Sequence, residues 1–272
     1  MVGMSPPVQA VLFDMDGVVY NSEVPIPGAA DALAWIRSRQ FPHLFVTNTT
    51  SRSRSVLARK LASFGISASE SQILTPAAVA VEFLRTERSV RPTRLALLLP
   101  EAAHSEFSGM DLVPPDAESG ADFVIIGDLG EQWSFTTLNR AFRLLQSNPA
   151  TEFFALSGTK FWQGASGLQL DTAPFTAALE CATGRRARVF GKPSRDFFEA
   201  ALHLLGVSAA ETLMIGDDLE ADVAGAQQAG LRAALVRTGK FRPEQLTGPI
   251  EPDVILSSIA ELPSFLSESP MP

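Results

Sequence analysis

Asp14-Met15-Asp16-Gly17 follows directly on the apolar run Val11-Leu12-Phe13. Two carboxylates one residue apart at the end of a buried strand are costly unless a cation or a proton compensates them, so the pair marks a place where chemistry is done. Asp and Gly also end strands merely because they make turns. Three further apolar runs, however, end in polar groups, at Thr47-Asn48, Gly191-Lys192 and Gly216-Asp217-Asp218. Four strand ends carrying acid, hydroxyl, amine and acid again imply one convergent site. In open parallel sheets ligands bind beyond the carboxyl ends of the strands, which is where all four would lie.

The residue types narrow the chemistry. Asp14, Asp16 and Asp217 supply hard oxygen ligands with no histidine or thiol beside them, a donor set that favours Mg2+ over zinc or copper. Asp14 and Asp217 would coordinate through their side chains, and the main-chain carbonyl of Asp16 could serve as a third ligand. Lys192 and Thr47 add a point charge and a hydroxyl suited to a phosphoryl oxygen, and N–H groups in the loop after the first strand can form an anion-binding concavity. The inventory matches phosphoryl transfer. A cation and Lys192 would lower the repulsion between Asp14 and a phosphate dianion, allowing direct attack and an aspartyl-phosphate intermediate. Asp16 would protonate the leaving oxygen and then take a proton from the hydrolytic water.

The elements that must position these groups alternate along the chain. Short apolar runs and amphipathic stretches follow one another almost throughout, the pattern of a parallel sheet covered by helices on both faces. A first strand over residues 8–13, a helix over 28–39, a strand over 43–46 and a helix carrying Val56, Leu57, Leu61 and Phe64 make the start. The alternation resumes at Val189-Phe190, with a helix carrying Phe197, Phe198, Ala201 and Leu205, strands at 212–215 and 233–236, a helix ending at Gly230, and a closing strand and helix over 253–266. Between the halves, strands at 95–99, 123–126 and 153–156 and helices at 77–86, 137–145 and 175–182 form a complete set of their own. The expected fold is α/β: a Rossmann-like, doubly wound parallel-sheet core over residues 1–76 and 185–272, with an inserted α/β cap domain over 77–184.

Composition limits the function classes. A chain of 272 residues exceeds the usual single-domain size and has apolar content for a proper core. Its formal charge of -8 argues against nucleic acid and anionic membranes, both of which need a concentrated basic surface. No apolar run approaches a membrane span, and no basic segment followed by a long apolar stretch marks a signal peptide. The single cysteine, Cys181, cannot form an intrachain disulfide, which leaves a cytoplasmic compartment as the expectation. His43, His104 and His203 show no metal-ligand spacing.

Asp14-Met15-Asp16-Gly17, Val46-Thr47-Asn48, Gly191-Lys192-Pro193 and Gly216-Asp217-Asp218 with Asp222 resemble, in this order, the four motifs of the haloacid dehalogenase superfamily of phosphatases. The insert between the second and third motifs resembles the subfamily with a large α/β cap. The resemblance implies Asp14 as nucleophile and metal ligand, Asp16 as acid/base and main-chain ligand, Asp217 as ligand, and Thr47, Asn48 and Lys192 as phosphate-binding residues. It implies indirect or water-mediated metal contacts for Asp218 and Asp222. It places Lys160-Phe161-Trp162, in a loop of the cap, in the region that covers the substrate. It also allows a homodimer formed through the cap, although no exposed apolar stripe in the sequence requires one. The expected function is a magnesium-dependent phosphatase acting on a small phosphorylated substrate. The alternatives are a phosphotransferase to another hydroxyl and a non-catalytic, metal- and phosphate-binding regulatory protein.

Overall fold

Every residue of the strand Ala10–Asp14 is buried, as its unbroken apolar run requires of a strand covered on both faces. The computed structural model describes residues 7–88, 93–164 and 167–268. The chain folds into two compact units: one comprising Met1–Thr47, Ser55–Leu74 and Lys192–Pro272, the other Asn48–Arg54 and Thr75–Gly191.

The first unit is built on a six-stranded parallel sheet with spatial order Val254–Leu256, Arg232–Val236, Thr212–Gly216, Ala10–Asp14, His43–Val46 and Ile73–Leu74. Counted along the chain within this sheet, the order is 6-5-4-1-2-3, which reverses direction between the first and fourth strands. Phe13 lies opposite Ile215 across that switch point, so Asp14 and Gly216-Asp217 emerge side by side where such sheets bind ligands. Its core gathers Phe13, Ile36, Phe45, Leu61, Ile215 and Val236. Helix Arg195–Leu205 buries Phe197, Phe198 and Ala201.

The second unit carries a five-stranded parallel sheet ordered Arg188–Val189, Glu152–Ala155, Phe123–Ile126, Arg94–Leu98 and Asp111–Leu112. The helices Pro76–Arg88, Phe135–Gln146 and Thr172–Thr183 belong to it. Two sequence expectations change here. Val189-Phe190 does not resume the core alternation: Val189 pairs with Ala155, Phe190 donates its N–H to Ala155 O at 3.0 Å, and its ring sits 4.8 Å from that of Phe154. Tilted packing on Phe83 and edge-to-face packing on Phe154 hold this strand in the second sheet, so the unit extends to Gly191 and not to Gly184. Phe161 and Trp162 are not loop residues but open an antiparallel hairpin, Phe161–Gly164 with Gly167–Leu170. Among the described residues, no helix is long and apolar enough to cross a membrane.

Phe198 is fully buried, and a Cβ added at Gly225 would stand 2.9 Å from its ring and 2.7 Å from Pro193 Cβ. Gly225, just after the Asp222 turn, is thus packed tightly against this ring and against the segment after Lys192. Phe198→Ala is expected to destabilise the protein by about 3–5 kcal/mol through the transfer and cavity terms together, read as a lower urea midpoint with an unchanged denaturant slope.

Candidate active site

The carboxyl end of the first strand delivers Asp14, and the chain then folds back in a tight loop. Gly17 donates to Tyr20 O at 2.6 Å, and Val19 to Met15 O at 2.9 Å. Gly17 has φ 90°, a left-handed conformation readily open to glycine. A second demand on this position is spatial, since a Cβ here would stand 2.1 Å from Asp217 Oδ2. A Cβ added at Gly239, where φ is 67°, would stand 2.1 Å from the same oxygen and 2.5 Å from Gly17 Cα. The Asp217 carboxylate therefore occupies room that two glycines leave open. Lys240 donates its main-chain N–H to Asp217 Oδ2 at 2.6 Å, and Thr238 donates its hydroxyl to the carbonyl of Gly17.

After Asp217 the chain turns through a widened helical segment, Leu219–Ala224. Val223 N–H reaches back five residues to Asp218 O at 3.2 Å, and Asp222 N–H reaches the same oxygen at 3.0 Å. Such wide turns recur at functional sites. Asp218 caps the segment by accepting from the N–H groups of Glu220 and Ala221, each at 3.0 Å. Asp222 is turned back under the strand end, where its Oδ2 accepts from the N–H groups of Asp217 and Asp218 at 3.2 Å. A Cβ at Gly216 would stand 2.2 Å from Asp222 Cβ, so a glycine there makes the close approach feasible.

Lys192 joins these acids. Its ammonium donates to Asp14 Oδ1 and to Asp222 Oδ1, both at 2.6 Å, while only 3% of its side chain is exposed. Burial works against its charge, but the attraction of Asp14 and Asp222 prevails and raises its pKa above the ordinary lysine value. Carboxylate oxygens of Asp14, Asp217 and Asp222 lie within 4.8 Å of one another. Burial first, then repulsion from Asp14 and Asp222, pushes the Asp217 carboxyl well above the usual range. Burial likewise pushes Asp222 up to about 6, with Lys192 opposing and Asp14 reinforcing the shift. Asp218, by contrast, is held low: burial is outweighed by Lys240, at 3.4 Å, and by the N–H of Ala221.

Three buried carboxylates against one ammonium leave a surplus of negative charge, and Asp217 Oδ1 is buried without a hydrogen-bond partner. A buried, unpartnered carboxylate oxygen on a member of this acidic cluster fits a bound cation, because only an ion or a proton would meet its lone pairs. These acids could hold a metal ion.

Of the sequence-predicted residues, Asp14, Lys192 and Asp217 converge, and Asp222 joins them as the second partner of Lys192. Asp16 is exposed beside them, its Oδ1 accepting from Ser22 N–H at 3.1 Å. Thr47 is buried one residue beyond Val46, which lies opposite Asp14 in the sheet, and its N–H donates to Leu74 O at 3.1 Å. Asn48 belongs to the second unit, where its Nδ2 donates to Thr159 Oγ1 at 3.5 Å. Lys160 also lies in that unit. Sequence reasoning gave no role to Gly239 or the N–H of Lys240; the available signal was the apolar run 233–236 just before them, one more strand end in the same sheet.

A family model described as haloacid dehalogenase-like hydrolase matches residues 11–112, and a second, described as HAD-hyrolase-like, matches residues 189–262. The chain is 37% identical over 264 residues to phospholysine phosphohistidine inorganic pyrophosphate phosphatase of Homo sapiens, covering 95% of this chain and 94% of that one. It is 38% identical over 235 residues to haloacid dehalogenase-like hydrolase domain-containing protein 2 of Bos taurus, covering 86% of each. Among solved structures, a p-nitrophenyl phosphatase from Archaeoglobus fulgidus superimposes with a TM-score of 0.86 at 25% identity, over 96% of this chain and 100% of the other. NagD from E. coli K-12 superimposes with a TM-score of 0.82 at 26% identity, over 94% and 98%.

The raised carboxyls have a measurable consequence in the absence of a cation. A carboxyl with an elevated folded-state pKa binds its proton more tightly than the unfolded chain does, so its stabilising contribution is present below the unfolded value of 3.8 and is lost as pH rises through about 6. A cation binds the deprotonated groups and reverses that loss. The rise in Tm on replacing EDTA by magnesium is therefore expected to be larger at about pH 7.5 than at about pH 5. Scanning calorimetry checks this, and an equal shift at both values contradicts it.

Proposed function

The chain belongs to the haloacid dehalogenase-like hydrolases and is a phosphatase of that family; we propose that it is magnesium-dependent and works through a phosphorylated Asp14. The observation that carries this reading is the buried set of Asp14, Asp217 and Asp222, with the buried Lys192 ammonium bonded to Asp14 and Asp222. Asp14 and Asp217, with the main-chain carbonyl of Asp16, would hold Mg2+, which when bound draws negative charge from a phosphoryl oxygen. Asp222 holds Lys192 by its second carboxylate contact, so the ammonium stays charged and directed at Asp14.

Lys192 and Thr47 bind the oxygens of the incoming phosphoryl group, and Asn48, next in the chain, adds its amide. An Asp14 oxygen attacks phosphorus as the leaving oxygen departs with a proton from Asp16, which stands outside the buried cluster. Water then attacks the acyl phosphate. Asp16 takes its proton, inorganic phosphate leaves, and the Asp14 carboxylate is restored. The substrate is a small phosphorylated molecule: a phosphomonoester, or the P–N and pyrophosphate linkages named for the human relative. The reading takes no nucleic acid or membrane as partner and the cytoplasm as its compartment, supported by the charge of -8 and the single cysteine.

Release of phosphate from a panel of phosphorylated metabolites and from p-nitrophenyl phosphate, with and without magnesium, tests the reading directly. Asp14→Asn keeps the shape of the site but removes the attacking charge, and turnover is expected to fall by roughly a thousandfold or more. Wild-type turnover in a purified Asp14→Asn variant would end the covalent mechanism. Asp16→Asn should still bind substrate while kcat falls by about 10²–10⁴-fold, because both proton transfers lose their carrier; an unchanged kcat removes Asp16 from that role.

A further inference from the structure

Residues Asn48–Arg54 follow Thr47 directly in the chain, yet they pack as part of the inserted unit. Thr50 Oγ1 accepts from Asp128 N–H at 2.9 Å. Arg54 donates its main-chain N–H to Glu106 Oε1 at 2.7 Å and its Nε–H to Glu106 Oε2 at 2.8 Å. Asn48 donates to Thr159. These partners share a place in the fold. Asp128 follows strand Phe123–Ile126, Thr159 follows Glu152–Ala155, and Glu106 lies in the short helical turn Ser105–Phe107 beyond Arg94–Leu98. The segment thus occupies the carboxyl edge of the second parallel sheet, the edge at which such sheets bind ligands.

The fit is close. Glu106 has only 5% of its side chain exposed, so its two bonds to Arg54 are charge-assisted and shielded from the screening that weakens surface pairs. Its carboxylate also receives the first N–H of helix Arg54–Ser63, where negative charge complements the helix dipole. Gly127 closes the other side: an added Cβ would stand 2.6 Å from Leu99 Cδ2 and 3.1 Å from Thr50 Oγ1.

We propose that Glu106, acting through Arg54, is a positioning residue for the phosphate-binding segment. It fixes the stretch 48–54, and with it the amide of Asn48, against the inserted unit, so that affinity for the phosphoryl group depends on a carboxylate that never touches it. The proposal rests on the phosphatase reading in taking Asn48 as a phosphate ligand.

Glu106→Gln keeps one acceptor for the main-chain N–H of Arg54 but loses the charge and the second acceptor oxygen. Gly127→Ala disturbs Thr50 by an unrelated route and keeps Glu106 intact. In both variants KM for p-nitrophenyl phosphate and the calorimetric Kd for inorganic phosphate are expected to rise about threefold to tenfold. The magnesium-induced Tm shift should remain that of the wild type, since Asp14, Lys192, Asp217 and Asp222 are untouched. Folded variants with unchanged KM and Kd overturn the proposal. So does a fall in phosphate affinity matched by an equal loss of the magnesium shift, which would signify general loosening. A wild-type protein that binds phosphate without turning over any ester would defeat the phosphatase reading alone, because the Kd comparison still decides the role of Glu106; one that binds no phosphate would defeat both.

Discussion

Placing the Lys192 ammonium between Asp14 and Asp222 is the constraint on which the rest of the site depends. A buried lysine is tolerable only when carboxylates compensate it, and removing a partner would leave an unpaired charge in the interior. The same pairing orients Asp14 and ties it to the turn that supplies Asp222. Two carboxylates on one ammonium already exceed neutrality, and Asp217 adds a third acid. The excess is what a phosphoryl-transfer site needs when a cation is to be its counterpart: acid enough to hold the ion, and one fixed positive charge to face the phosphate.

The sheet makes this arrangement feasible. Reversal of strand order between Ala10–Asp14 and Thr212–Gly216 leaves a crevice into which both strand ends open. Glycines at 17, 216 and 239 then let carboxylates approach backbone more closely than any Cβ permits. The conformational freedom of Gly17 and Gly239 matters less here than the volume they leave empty.

Much of this was legible in the sequence, for identifiable reasons. Asp14, Thr47 and Asp217 end, or directly follow, uninterrupted apolar runs, and those runs are neighbouring parallel strands of one sheet. Lys192 was found by residue type but given the wrong support: a two-residue strand with an aromatic neighbour carries no mark of which sheet it will join, and the rings of Phe83 and Phe154 decided it. Asp222 could be read from sequence as a helix-dipole charge or as part of a metal shell. Its contact with Lys192 follows from the widened turn that contains it, which no side-chain pattern announces. The anchoring of the segment 48–54 was not legible either, because Glu106, Asp128 and Thr159 lie 52, 78 and 111 residues from their partners and share no spacing with them.

The occupied edge of the second sheet has a consequence for dissecting this protein. An insert is ordinarily treated as a portable module, cut out at its two junctions and expressed alone. Here residues 75–191 would come away without the strip of chain that their own sheet grips. The Glu106 carboxylate, shielded in the whole protein, would be stripped of Arg54 and opened to water, and the carboxyl edge of the sheet would be left as the receptor half of a split pair. Its natural complement is a short peptide of this same chain, Asn48–Arg54, making the inserted unit a fold assembled from two pieces of sequence separated by a stretch of its host.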